Sequence, residues 1–437
     1  MGDIHDAVRD ILRRRADEVT PLPLGAGVLR RLRFRQTSVV LLTSLILGGA
    51  VVGSLYAMRA LTSAPTRSDL ASPAAGGPLA RSVYVATPGD AFYESSVHMI
   101  RTGSRGPQTI RTFPARGAPA LAVSPDRARL YVVSGYGRED QATEELVAFD
   151  VTSGEELMKA ALQPEEPLYR VASGSPSCCP TMAVSPDGRW LFLLWVTGGD
   201  EGERTFYVGT FDTVEGVLLP EMVPLEGCEP GIQALIPLTE ARSLAVVCEA
   251  SSDVRFLEAS ESGGLRASAR LPLPVAPDAK TDSFGNEFQL GRLAWAVASA
   301  DGSSLYVVTL NGHVFVVDLS SRSIVAETSV DIGLDRHVGY GQVGLSDSGE
   351  KMYLGVGPIS DGLDLLSATH VLEVGTETWN PTNAIDLAGR FQSMVVTGGE
   401  GEVYVSGDKG LSRVAVEDAK VTSVPSLGRR PESIVAP

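Results

Sequence analysis

Five arginines stand a few residues ahead of short apolar segments: Arg116 in ARGAPALAV, Arg292 in GRLAWAV, Arg336 in LDRHVGYGQV, Arg390 in AGRFQSMVV and Arg430 in RRPESIVAP. A guanidinium stays charged and offers coplanar paired donors, so several converging on one place would hold a carboxylate or a phosphate. The same arginines could instead pair with acids of neighbouring segments, and the chain has 53 Asp and Glu to offer. His337 follows Arg336, with Asp335 and Tyr340 beside it, and His313 stands in LNGHVF. Two imidazoles that approach each other could move a proton, whereas solvated loop histidines would not. The candidate ligand-binding residues are therefore Arg116, Arg292, Arg336, His337, Arg390 and Arg430, and no residue is assigned a catalytic role.

The four cysteines, Cys178, Cys179, Cys228 and Cys248, lack the spacing of a zinc site, since no second CxxC or nearby histidine accompanies them. A disulfide is the expectation. Cys228–Cys248 and a link from Cys178 or Cys179 to either remain alternatives. The segment DAKTDSFGNE (278–287) has oxygen ligands near a glycine but departs from the calcium-loop spacing, so no metal is expected. There is no GxSxG elbow, phosphate-binding P-loop or dinucleotide fingerprint, and no cofactor is expected.

These residues sit on a framework that the apolar pattern describes. From Arg81 onward, short apolar runs alternate with Gly, Pro, Asp and Ser and no sustained 3.6-residue stripe occurs, which is an all-β pattern. One hairpin module recurs as LAVSPDRARLYVV (121–133), MAVSPDGRWLFLL (182–194), AVASADGSSLYVV (296–308), VGLSDSGEKMYLG (343–355) and VVTGGEGEVYVSG (395–407), with a degenerate copy at 232–247. A second module follows each first: VAFDVTSGEEL (147–157), GTFDTVEGVLL (209–219), RFLEASESGGL (255–265), FVVDLSSRSIV (315–325) and HVLEVGTETWN (370–380). Two hairpins make a four-stranded antiparallel blade. The SPDG and FDxxSG hairpins resemble those of the WD40-like, TolB-like and YVTN-type β-propeller repeat superfamily, over residues 82–437. That resemblance implies a β-propeller and says little about function. A partial match to quinoprotein docking repeats, AFDVTSGEELM (148–158), has Met158 where tryptophan would stand and occurs once.

The ends complete each other: SVYVAT (82–87) opens a blade lacking its innermost strand, and RRPESIVAP (429–437) is an innermost strand lacking its blade. Residues 82–437 divided by seven give about 51 per blade, so a seven-bladed propeller fits better than six or eight. In such a fold the connections entering innermost strands and the turns after second strands share one face, called the top here, and the candidate arginines lie along it.

Ahead of this domain, TSVVLLTSLILGGAVVGSLYAM (37–58) has no charge across 22 residues, about 33 Å of helix, enough to span a bilayer core. Eight arginines precede it and three follow before residue 82, so a single-pass anchor with a cytoplasmic N-terminus is expected. The organisation is a basic arm (1–36), a transmembrane helix (37–58), a stalk rich in Ala, Ser, Pro and Gly (59–81) and an extracytoplasmic propeller (82–437). Residues 1–36 carry net +3; with −16 for the whole chain, the remainder carries −19, which repels nucleic acid and anionic lipid headgroups and argues against either as a partner.

The expected function is a membrane-anchored binding, sensory or scaffolding module for a protein or small anionic ligand on the top face. A propeller hydrolase or lactonase and a heavy-chain-like subunit of a periplasmic oxidoreductase are the alternatives. In intact cells a tag at the N-terminus should survive external protease while the domain beyond residue 81 is cleaved. Digestion of the tag would reverse the orientation.

Overall fold

The computed structural model describes residues 82–437 apart from 89–93, 104–105, 118, 135–143, 163–169, 172–181, 198–204, 229–231, 240–241, 250, 260–263, 276–278, 282–286, 334, 360–367, 398–400, 425–432 and 437. The expected arm, membrane helix and stalk, together with Cys178, Cys179 and Arg430, lie outside the described residues. Among those described, no helix is long and apolar enough to cross a membrane.

The described chain is built of antiparallel strands in chain order. β1 (Ser82–Pro88), β2 (Glu94–Gly103) and β3 (Gly106–Arg116) form a meander, as do β4 (Ala120–Val123), β5 (Arg129–Ser134), β6 (Glu144–Asp150) and β7 (Glu156–Leu162). The next sheet holds β8 (Arg170–Val171), β9 (Met182–Val184), β10 (Trp190–Thr197) and β11 (Thr205–Asp212), with a divided outer edge of β12 (Val217–Leu218) and β13 (Val223–Pro224). A regular four-stranded sheet follows: β14 (Ile232–Pro237), β15 (Leu244–Cys248), β16 (Asp253–Ala259) and β17 (Leu265–Pro272). The long polar connection after it carries its own ribbon, β18 (Ala279–Thr281) with β19 (Glu287–Gln289). Then come β20 (Leu293–Ala298), β21 (Ser304–Thr309), β22 (His313–Asp318) and β23 (Ser323–Ser329). The last long sheet runs through β24 (Arg336–Leu345), β25 (Lys351–Pro358), β26 (Ala368–Gly375), β27 (Pro381–Val396), β28 (Glu402–Gly407), β29 (Gly410–Ala415) and β30 (Lys420–Ser423). β27 is the outer strand of one meander, paired with β26, and continues as the inner strand of the next, paired with β28.

β31 (Ser433–Val435) returns to the beginning of the domain and pairs with β1, with Tyr84 opposite Val435 and Ala86 opposite Ser433. It gives the first meander its fourth strand, as the complementary ends of the sequence lead one to expect.

The recurring hairpin has one polar mechanism. In SPD-type turns the serine hydroxyl donates to the aspartate two residues on, at 2.5 Å for Ser124–Asp126, Ser185–Asp187 and Ser299–Asp301. The same oxygen accepts the backbone N–H five residues on, at 2.9 Å from Arg129, Trp190 and Ser304. Each serine thus closes its own turn. In the second module the aspartate side chain caps the turn, accepting the N–H of Ser153 at Asp150 and of Ser321 at Asp318, both at 2.6 Å. Those bonds, the backbone Ser321 N–H first, hold Asp318 down at about 2.

The second strands of the sheets, such as β5 and β15, bury both faces, which is why they read as continuous apolar runs, whereas the outermost strands β7, β17, β23 and β30 are largely exposed. Tyr84, Ala86, Val97 and Met99 pack against Leu130, Val132 and Phe149 of the following sheet, while Val83, Val85 and Ile100 pack on the other side against Tyr404, Leu411 and Val424. Apolar seams of this kind join each sheet to the next, and the last of them joins the β28–β30 meander back to β1. The inner strands touch in one closed sequence: β31, β4, β9, β14, β20, β24, β27 and β31 again.

Removing Pro431–Pro437 takes away β31, leaves the inner edge of β1 unpaired and opens the sequence of inner strands. The domain should lose its cooperative melting transition; a normal transition in the truncated protein would show that closure is dispensable.

Candidate functional site

Each connection into an inner strand lies at the end of the sheets opposite the SPD-type hairpins, so the segments bearing the candidate arginines share one rim. The inner strands that these segments lead into are β20, β24, β27, β31 and β4, and they are consecutive neighbours. Of the candidate arginines, Arg292, Arg336, Arg390 and Arg116 stand at or near the entries to β20, β24, β27 and β4, and Arg430 lies outside the described residues. β9 and β14, which close the rest of the circuit, follow Cys178–Cys179 and Cys228 in the sequence.

Along the arc the side chains differ. Arg116 ends β3 and is exposed, and Arg336 opens β24 half-buried, opposite Pro358. Neither makes an ion pair with a described residue. Arg292 donates to Glu249 of the preceding sheet at 2.5 Å, with the Glu249 carboxylate almost wholly buried. Arg390 is exposed, at the irregularity where β27 passes from β26 to β28. Its carbonyl approaches Gly407 so closely that a Cβ there would lie 2.1 Å from the oxygen, so only glycine is accommodated.

His337 departs from the loop position read from the sequence. It belongs to β24, sits opposite Gly357 and is only 2% exposed, because the strand begins at Arg336 and resumes at Val343 after an irregularity. The adjacent Val338 N–H donates to the Leu310 carbonyl of the preceding sheet, which draws this segment into the seam. His313 has partners of its own: Nδ1 lies 3.0 Å from the Ser329 hydroxyl, Nε2 lies 3.9 Å from Glu327, and the ring meets Phe315 edge-on.

The β14–β17 sector is closed by covalent and ionic links. Cys228 and Cys248 form a disulfide with Cα atoms 4.8 Å apart, both wholly buried, and Ile232 stands opposite Cys248 in the ladder. Of the pairings left open by the sequence, the structure contains this one. Glu249, next to Cys248, is the residue that holds Arg292. A few residues on, the fully buried Asp253 is gripped by Arg255 at 3.3 Å and by Arg270. A buried carboxylate demands such pairing, since an isolated charge would be strongly disfavoured.

One group on the rim was not legible in the sequence. The Thr369 hydroxyl lies 2.7 Å from His370 Nδ1, and His370 Nε2 lies 2.6 Å from Asp386. With Nε2 donating to Asp386, Nδ1 accepts from Thr369, the hydroxyl–imidazole–carboxylate order that polarises an O–H bond. Asp386 is opposite His370 in the β26–β27 ladder, sixteen residues away, so the relay exists only once that register is set. Among the described residues no group of His, Cys, Asp and Glu could hold a metal ion.

No known family matches the sequence, and no curated protein matches it either. Solved structures do. A Pseudomonas aeruginosa periplasmic gluconolactonase, PpgL, aligns at 16% identity and TM-score 0.57 over 81% of this chain and 98% of its own. A Lactobacillus plantarum protein aligns at 15% identity and TM-score 0.54 over 81% and 98%. The chain spans 65% of the length of dihydro-heme d1 dehydrogenase NirN, solved with DHE, at 17% identity and TM-score 0.48 over 80% of this chain. At these identities the similarity is one of fold, and that fold is the β-propeller.

Denatured, unreduced protein should titrate at most two free thiols; four would eliminate the bridge. Replacing Cys228 by Ser should lower stability by about 3 kcal/mol, as expected of a loop of roughly twenty residues, read from denaturant midpoints.

Proposed function

We propose that this protein is a seven-bladed β-propeller, held outside the cytoplasm by its N-terminal helix, that binds a carboxylate- or phosphate-bearing ligand at its top rim without transforming it. The observation that carries the reading is the arc: five neighbouring inner strands, each preceded by an arginine, in a chain whose net charge is −16. Cations kept together on one stretch of an acidic protein form a local positive field that draws anions to it. Within the arc Arg116 and Arg336 are the ligand-holding residues, Arg390 lines the same rim, and Arg292, committed to Glu249, shapes it. Arg430 precedes β31 in the sequence and is assigned to the same arc. The blade count rests on the circuit of inner strands, β31, β4, β9, β14, β20, β24 and β27, and on an apolar seam between each neighbouring pair of sheets.

A second reading has its own support. The Thr369–His370–Asp386 relay could activate a hydroxyl or a water, and the gluconolactonase with this fold opens the question of lactone hydrolysis. Hydrolysis of a sugar lactone yields a hydroxy-carboxylate, a ligand of the class the arginine arc suits, so both readings share one ligand chemistry.

Calorimetric titration of the full-length protein in detergent with gluconate and with inorganic phosphate tests the first reading. Arg116→Ala with Arg336→Ala should weaken binding at least about tenfold, roughly 1.4 kcal/mol; unchanged affinity, or no binding of either anion, overturns it. Gluconolactone opening above the spontaneous rate, lost in His370→Gln, would replace binding with catalysis.

A further inference from the structure

The face opposite the arginine arc carries a separate cluster, at the end of the seam between the β1–β3 and β4–β7 sheets. Ser82 stands directly opposite Arg101 in the β1–β2 ladder, and Tyr84 follows two residues along the same face of β1. Residues directly opposed in antiparallel strands share a face, so Ser82, Tyr84 and Arg101 all face the β4–β7 sheet, where Tyr84 packs with Leu130 and Val132. From that sheet the β4–β5 hairpin contributes Arg127. The Tyr84 phenol feels the charges of both Arg101 and Arg127, while burial, the larger effect, raises its pKa.

Two features mark this cluster as built. The first is unmet hydrogen-bonding capacity. The Ser82 hydroxyl is wholly buried and Arg101 Nε is buried, and neither has a hydrogen-bond partner among the described residues. Arg127 is half-buried and makes no ion pair with a described residue. Asp126, the neighbour of Arg127 in the chain, accepts from Ser124 and from the Ala128 N–H. The second is the backbone. Arg127 has φ 60°, in the left-handed region, at a turn position where the hairpins at Gly188, Gly302 and Gly349 use glycine with φ 71°, 67° and 72°. A side chain kept where glycine is the easier choice has a reason to be there.

The pattern contrasts with Arg242, which also has a positive φ of 60° in its hairpin. Its guanidinium lies 4.3 Å over the Trp190 ring, and the negative charges acting on it are Asp212 and Glu221.

We propose that Ser82, Arg101 and Arg127, with Tyr84 as their floor, form a second anion site that takes a single phosphate group. A tetrahedral oxyanion presents acceptors to a hydroxyl and two guanidinium groups approaching from different directions, and satisfies buried donors that would otherwise remain unmet. Ser82 follows directly on the segment read as the stalk, so the phosphate could be free in solution or belong to a lipid headgroup; the lipid source rests on the membrane-anchor reading, and the site itself does not.

Arg127→Gly is the decisive variant, because it installs the residue that the other hairpins use and should fold at least as well as the natural protein. The full-length protein in phosphatidylcholine nanodiscs is titrated with inorganic phosphate against chloride at matched ionic strength, following the melting temperature and calorimetric heats. A saturable, phosphate-dependent rise in melting temperature is expected, with affinity at least tenfold weaker in Arg127→Gly and in Arg101→Gln. Gluconate binding that depends on Arg116 and Arg336 should be unaffected by these changes, which separates this site from the rim. In nanodiscs containing phosphatidylglycerol, stabilisation without added phosphate that is lost in Arg127→Gly identifies a headgroup as the source. Equal phosphate responses in natural and Arg127→Gly protein, or no saturable response in the natural protein, overturn the proposal.

Discussion

The pairing of β31 with β1 is the constraint on which the remaining structure depends. Antiparallel sheets packed face to face around a circuit each have a neighbour on both faces only if the circuit closes, and here one three-residue strand from the end of the chain closes it. Its contribution is larger than its hydrogen bonds. With β31 in place, Val83, Val85 and Ile100 are covered by Tyr404, Leu411 and Val424, so the first and last sheets acquire the apolar seam that every other neighbouring pair has. The passage of β27 through two meanders is a second device of the same kind, since it joins neighbouring sheets without an intervening connection.

Closure has a consequence for the polar residues. Repeated hairpins must turn sharply, and the serines and aspartates that look chemically able in the sequence are used in doing so: Ser124 with Asp126, Ser185 with Asp187, Ser299 with Asp301. At Asp301 and Asp318 the hydrogen bonds, led by the Ser299 hydroxyl and the Ser321 N–H, lower the carboxyl pKa, which suits a turn lock and not a general base near neutral pH. Groups left for a ligand are therefore found on the rim that carries the arginines, at the His370 relay, and at the Ser82 seam, where Arg127 comes from one such turn but not from its serine or aspartate.

Two charged regions at opposite ends of the sheets follow different rules. On the rim, the disulfide sector has Glu249 holding Arg292 and Asp253 holding Arg255 and Arg270, while Arg116 and Arg336 make no ion pair with a described residue. At the opposite end, the Ser82 seam keeps donors buried with no acceptor among the described residues, a costlier arrangement than an exposed charge and a narrower specification of what would complete it. Similarity to the gluconolactonase is one of fold, because 16% identity does not carry side-chain chemistry.

The sequence by itself determined the all-β class, the two alternating hairpin modules and the complementary ends, because each is local: turn residues preset the backbone, and burial of both strand faces writes itself as unbroken apolar runs such as SVYVAT. It also placed the candidate arginines at or ahead of inner strands. Tertiary structure alone decided what those residues meet. His337 reads as a loop residue because Gly339 and Gly341 surround Tyr340, yet strand β24 takes it up and buries it. The choice of Cys228 as the partner of Cys248, the commitment of Arg292 to Glu249, and the alignment of Thr369, His370 and Asp386 all depend on the register of strands and the packing of neighbouring sheets. Distances of a few ångströms between residues far apart in the chain are set by such packing, and no local pattern encodes them.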